Sequence, residues 1–115
     1  MTAQQLSKII AKGMEEKKAS DILVMDLRSV KDTVTDFFVI CSGNSDTQLD
    51  AISKSIEEQV YKAGDSPAWK VEGRSNGQWI LMDYVNVVAH IFLADKRAYY
   101  GLEDLWGDAK TTRIS

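Results

Sequence analysis

Gln78-Trp79-Ile80-Leu81-Met82-Asp83-Tyr84-Val85-Asn86-Val87-Val88-Ala89-His90-Ile91-Phe92-Leu93 is the stretch whose reading decides the fold. Two short apolar runs, 79–82 and 87–93, flank a polar break at 83–86. β-Branched and aromatic residues dominate both runs, and neither is long enough for an ordinary helix, so the pattern predicts a β-hairpin. With Val85 and Asn86 at the tip, Tyr84 faces Val87, Leu81 faces His90 and Trp79 faces Phe92. Side chains alternate between the faces of a strand. One face then carries Trp79, Leu81, Asp83, Val88, His90 and Phe92; the other carries Ile80, Met82, Tyr84, Val87, Ala89 and Ile91. Both are largely apolar, and each needs something to cover it.

Working outward, residues 73–77 (Gly-Arg-Ser-Asn-Gly) form a turn, with Asn-Gly tolerant of positive φ, and 69–71 is a third strand candidate. Before it, Leu49, Ile52, Ile56 and Val60 make the apolar stripe of a helix. Ser45 followed by Gln48 matches a capping box, Asp46 suits the positive end of the helix dipole, and Gly64 with Pro67 beyond it ends the helix. The continuous apolar runs 22–25 and 37–41 suit strands buried on both faces, as in the middle of a mixed or parallel sheet. The polar stretch 28–36 between them reads as loop, and residues 4–18 as an amphipathic helix with Leu6, Ile9, Ile10 and Met14 on one side. Downstream, 96–108 reads as a final helix with Tyr99, Leu102, Leu105 and Trp106 facing inward, and 109–115 as a polar, frayed tail. The order α-β-β-α-β-β-β-α defines an α/β or α+β fold: one domain over 1–108 with a mixed five-strand sheet, then the tail. Three helices scarcely cover both faces of such a sheet. If they cover the Ile80 face, Trp79, Leu81, Val88 and Phe92 are left as an apolar patch, the usual mark of a binding site.

Composition narrows the function. The 115 residues, 44% hydrophobic and 27% charged, are ordinary for a globular protein. The net charge of −3 argues against a dedicated nucleic-acid grip, which shows as a basic balance. No run approaches the ~20 apolar residues of a membrane span. The first residues lack the pattern of a signal peptide, and the single Cys41 excludes an internal disulfide. The expected setting is a reducing cytoplasm or an organelle matrix.

Candidate chemistry is sparse. His90 is the only histidine and Cys41 the only thiol, which speaks against zinc. The preferred reading of His90 is a surface residue that hydrogen-bonds a partner; the blander one is a satisfied structural histidine. Cys41 sits in an apolar strand without a nearby cation to activate it and reads as a buried structural thiol. Asp21, Asp26 and Asp36 suggest a metal-binding set, but nucleotidyl transfer needs alternate carboxylates beside a Gly-Ser loop, and no such pair follows Ser42-Gly43-Asn44-Ser45. That loop reads as a helix start rather than an anion site. No catalytic, cofactor or metal residues are assigned.

From Asp36 and Val39-Ile40-Cys41-Ser42-Gly43-Asn44-Ser45 onward, the chain resembles the iojap-like family of ribosomal silencing factors. The match continues through Gln48, Ala51-Ile52, Ile56, Glu72-Gly73, Gly77, Trp79, Leu81, Asp83, Val87-Val88, His90 and Phe92 to Arg97, Tyr100, Leu102-Glu103 and Leu105-Trp106. The resemblance implies a domain similar to nucleotidyltransferases in fold, without their chemistry. It also implies binding to the large ribosomal subunit through protein L-fourteen, where the factor blocks joining of the small subunit and so represses translation. The contact residues are then Trp79, Leu81, Asp83, Val88, His90 and Phe92, while Arg97, Tyr100, Glu103 and Trp106 fix the last helix. A homodimer of the free chain through the same patch stays open beside this, and the alternative activity is a metal-dependent nucleotidyltransferase. Two departures stand out: Val85 occupies a tip position where the family commonly has Gly, and Ala89 replaces a larger aliphatic residue. A β-branched residue disfavours positive φ, which points to a different turn at the tip.

Overall fold

The computed structural model describes residues 1–30, 32–101 and 109–114. These form helices α1 (Ala3–Glu16), α2 (Asp46–Lys62) and α3 (Ala94–Tyr100) and strands β1 (Ser20–Asp26), β2 (Phe37–Gly43), β3 (Lys70–Glu72), β4 (Trp79–Asp83), β5 (Val87–Leu93) and β6 (Lys110–Arg113). The strands make a single sheet in the order β3-β4-β5-β2-β1-β6. Only β2 and β5 pair in parallel; the other neighbours are antiparallel. The two parallel strands sit at the centre, where their continuous apolar runs are covered on both faces.

The expected hairpin is present in the expected register, with Trp79 opposite Phe92 and Leu81 opposite His90. Its tip is unusual. Val85 has φ +74°, and the Asn86 amide donates to the Tyr84 carbonyl at 3.0 Å, two residues back. These are the marks of a positive-φ γ-turn, a strained conformation. Asp83 Oδ1 accepts from the Val85 amide at 2.7 Å, and the Asn86 carbonyl accepts from the amides of Asp36 and Phe37 at 2.9 and 3.2 Å. Bonds on both sides thus hold Val85 where its own preference would not.

α1 and α2 pack together on the face that carries Ile80, Met82, Val87, Ala89 and Ile91. Leu6, Ile10 and Met14 from α1, and Leu49, Ile52, Ile56 and Val60 from α2, close that core. The helices approach so closely at Gly13 that a Cβ there would lie 2.8 Å from the Ile56 Cα. Beside it, Ser55 Oγ donates to the Gly13 carbonyl at 2.7 Å, which satisfies a buried acceptor.

The cap signals resolve in detail. Ser45 caps α2, accepting from the Gln48 amide at 3.1 Å. The reciprocal half of the expected box does not form: Gln48 Oε1 accepts instead from the Asn44 amide, and its Nε2 donates to the carbonyls of Lys17 and Lys18. Gln48 therefore ties the loop after β2 to the end of α1. The complete capping box is at α1, between Thr2 and Gln5. At the far end of α2, Gly64 takes φ +79° and Asp65 donates to the Val60 carbonyl, a Schellman closure.

Two expectations need correction. The final helix does not run through 96–108 as one element: α3 starts at Ala94, and Gly101, at φ +62°, caps it by donating to Arg97. Leu102, Glu103, Leu105 and Trp106 lie outside the described residues. The polar segment after residue 108 is not frayed along its length, because Lys110–Arg113 pairs with β1 from Leu23 to Asp26. All four residues of β6 are exposed, so it carries no apolar alternation to announce it. Backbone pairing on the open edge of β1 makes this strand, and its side chains contribute little.

Candidate partner-binding face

The side of the sheet opposite α1 and α2 has its own small cluster of Met25, Ile40 and Phe92, with Phe38, Trp79 and Ala109 packed against it. β4 and β5 place Trp79, Leu81, Asp83, Val88, His90 and Phe92 on this face, as the alternation predicts. Their environments differ. Trp79, Leu81, Asp83 and Val88 are half-buried, whereas His90 and Phe92 are buried, at 3% and 0% exposure.

The expectation of a surface histidine is therefore corrected. His90 lies edge-on to Phe38, with ring centroids 4.7 Å apart, and near Trp79 at 5.8 Å. Trp79 in turn stacks on Phe92 at 5.0 Å. The aromatic rings come from three different strands, and only the sheet order brings Phe38 beside the hairpin. Trp79 Nε1 donates to His90 Nδ1 at 3.1 Å. Nδ1 must then hold a lone pair, and the ring proton sits on Nε2. Burial lowers the His90 pKa to about 4, so the ring is neutral at physiological pH.

Asp83, expected at the contact, spends one oxygen on the Val85 amide and so also holds the hairpin tip. Arg97, expected to be structural, is buried: its Nη1 donates to the Asp21 carbonyl at 2.6 Å and to Ser42 Oγ at 2.9 Å, pinning α3 to β1 and β2. Cys41 is fully buried, and desolvation pushes its thiol far above the usual range. Arg97 is near enough to pull the other way, a cation the sequence did not place, but burial dominates.

The acidic set suspected of metal binding is dispersed. Asp26 forks with Arg28, which holds its carboxyl below the ordinary value, and Asp21 Oδ1 accepts from Arg113 at 3.2 Å. Among the described residues, no group of three or more histidine, cysteine or carboxylate side chains comes together.

A cavity of about 240 Å³ opens on this face between the hairpin and Leu27 with residues 32–35. Leu81, Val88, Phe38 and Val34 supply apolar wall, and Asp32 and Asp83 also line it. Sequence reasoning missed this feature, because the loop residues Val34 and Thr35 carry no pattern that would place them beside β4 and β5.

The family model for the ribosomal silencing factor during starvation matches residues 1–115. The chain belongs to this family. It is 42% identical to the ribosomal silencing factor of Bacillus subtilis over 95% of this chain and 91% of that one. It is 37% identical to the chloroplastic protein Iojap of Zea mays over 87% of this chain, which corresponds to 42% of that longer protein. A crystal structure of a Chromobacterium violaceum protein superposes with a TM-score of 0.87 at 30% identity, over 100% of this chain and 94% of the other. A second, from Bacillus halodurans, gives 0.80 at 33% identity, over 95% and 97%. Family membership fits the regulatory, ribosome-directed reading and a single α+β domain. Among the described residues, no helix is long and apolar enough to cross a membrane.

Proposed function

We propose that this chain binds the large ribosomal subunit through protein L-fourteen, using the face of Trp79, Leu81, Asp83 and Val88. Occlusion of the small subunit then represses translation, with no chemistry performed. The observation that carries this reading is the half-buried apolar group of Trp79, Leu81 and Val88 on the side of the sheet away from α1 and α2. His90 and Phe92 support the contact from beneath, through the indole they position. Family membership points the same way, and a mouse relative, 32% identical over 81% of this chain, is named for mitochondrial assembly of the ribosomal large subunit. The compartment is then the one that holds the ribosomes, a bacterial cytoplasm or an organelle matrix.

The test combines sedimentation with subunit joining. The protein should co-sediment with isolated large subunits and not with small ones. It should also lower the yield of joined ribosomes in proportion to occupancy, without consuming nucleotide. Trp79→Ala should weaken large-subunit binding roughly thirtyfold, as expected for an aromatic anchor at an interface centre. Normal joining with the large subunit fully occupied would exclude occlusion. Unchanged affinity in a folded Trp79→Ala variant would exclude this face.

A further inference from the structure

We propose that β6 is a strap that opens and closes on the edge of β1 while the rest of the domain stays folded, and that its closing braces the Trp79 face. The strap and its coupling to Trp79 belong to the free chain; only the last arm of the test rests on the reading that this face meets a partner.

Three observations set β6 apart. It ends the sheet, so among the described residues its backbone pairs on one side alone. Its four side chains are all exposed, whereas every other strand carries at least one that is buried or half-buried. A cavity of about 210 Å³ separates it from α1, with Ser7 and Lys8 on one wall and Lys110, Thr112 and Ile114 on the other. An element held by exposed backbone bonds, with little apolar burial, opens at lower free energy than the core. The run Lys-Thr-Thr-Arg is polar, so opening it costs little in exposed apolar surface. One ion pair ties it down, Arg113 Nη1 to Asp21 Oδ1 at 3.2 Å. Those side chains are 61% and 63% exposed, and exposed pairs add little.

The root of the strap reaches the partner face. Ala109, the residue before β6, packs on the cluster of Met25, Ile40 and Phe92, and Phe92 stacks on Trp79 with ring centroids 5.0 Å apart. Closing β6 seats Ala109 against the group that supports the indole; opening lifts it away. Asp21 joins α3 to the same movement. Its carbonyl accepts from Arg97 Nη1 at 2.6 Å, while its carboxylate accepts from Arg113. Strap and helix are thus held at one residue of β1.

The first arm of the experiment follows amide exchange in the ¹⁵N-labelled free chain. The Ile114 amide donates to the Ile22 carbonyl at 2.8 Å and reports on β6. It should exchange at least ~100-fold faster than the protected amides of β2 and β5. Equal protection overturns the strap. Arg113→Ala should speed Ile114 exchange by up to about fivefold. Thr112→Pro removes an amide two residues before Ile114, which by alternation also points at β1, and should abolish the protection. In both variants the Trp79 Nε1–H resonance should move along one line in proportion to opening, with the melting temperature nearly unchanged. A Trp79 signal that stays in place, or a melting temperature that falls as far as in Ile80→Ala, overturns the proposal.

The second arm adds large subunits. If closing favours the partner, the partner favours closing by the same factor. Saturation with large subunits should slow exchange of the 109–115 peptide in mass spectrometry, and Thr112→Pro should bind them about fivefold more weakly. The two failures are separable. If Trp79→Ala weakens subunit binding while Thr112→Pro does not, the brace falls and the partner face stands. If the wild-type chain ignores large subunits, the partner reading falls, and the Ile114 and Trp79 signals of the free chain still decide the strap.

Discussion

On the side of the sheet under α1 and α2, Ile80, Met82, Ala89 and Ile91 are sealed at 1% exposure or less. On the other side of the same two strands, Leu81 and Val88 stay half-buried, and His90, beside a cavity, has one ring nitrogen without a hydrogen-bond partner among the described residues. The residue types are similar; the cover is not. Two helices of 14 and 17 residues close the first side; the third helix of the described residues, α3, has 7 residues and meets β2 and β5. Apolar surface under helices contributes to folding, and the same kind of surface left half-open is available to a partner. Stability and recognition are thus divided between the two sides of one hairpin, residue by residue.

The sharpest way to break that division is to truncate neighbours that point in opposite directions. Ile80→Ala removes a fully packed side chain from beneath the helices and should cost roughly 2–5 kcal/mol of folding free energy. Large-subunit affinity of the folded fraction should stay unchanged. Leu81→Ala, one residue on, should cost about 1 kcal/mol of stability or less and lower the affinity instead. Denaturant melts of both variants, set against subunit titrations, check the pair. Equal stability losses would mean that the two sides are equally core.

The His90 ring gives a second, pH-dependent view of the partner side. Its folded pKa of about 4 lies below the ordinary 6.5 because burial disfavours the charged form. Between those values the unfolded chain takes up a proton that the folded chain refuses, so stability rises with pH across this window. The contribution is complete above the unfolded pKa and is lost as pH falls toward the folded one. It amounts to the order of 3 kcal/mol. His90→Asn retains an acceptor for the Trp79 indole and cannot titrate. Its stability should therefore fall less steeply than the wild type's between neutral pH and about pH 4. Parallel slopes in unfolding experiments would show that the ring is not held neutral by the fold.

The smallest effect concerns the tip that joins the two strands. Val85→Gly relieves a positive φ and, after the entropy cost of glycine, should raise stability by about 1 kcal/mol. Subunit affinity should stay as it was, since the Asp83 and Asn86 bonds use backbone groups of the tip. A loss of affinity in calorimetric titration would instead make Val85, which is 58% exposed, part of the contact.

Much of this molecule is legible in its residues, because the signals are local. Alternation in β4 and β5 set the hairpin register and assigned every side chain to its face. Ser45, Gly64 and the stripe from Leu49 to Val60 bounded α2, since caps and amphipathic stripes act within a turn or two of chain. Other features depend on segments distant in sequence. The parallel pairing of β2 with β5 brought Phe38 against His90 and buried a histidine that exposure arguments had placed at the surface. The open edge of β1 made a strand of Lys110–Arg113, whose side chains carry no strand pattern. Asp83, accepting from the Val85 amide, and the Asp36 and Phe37 amides, donating to the Asn86 carbonyl, held Val85 in a conformation that valine disfavours. The cavity has a wall on that side because Leu27 and residues 32–35 lie beside β4 and β5. Periodicity and capping fix what each segment becomes, because their energies arise between near neighbours. Burial of a polar ring, recruitment of an edge strand and the shape of a cavity arise between residues tens of positions apart, so only the assembled tertiary structure decides them.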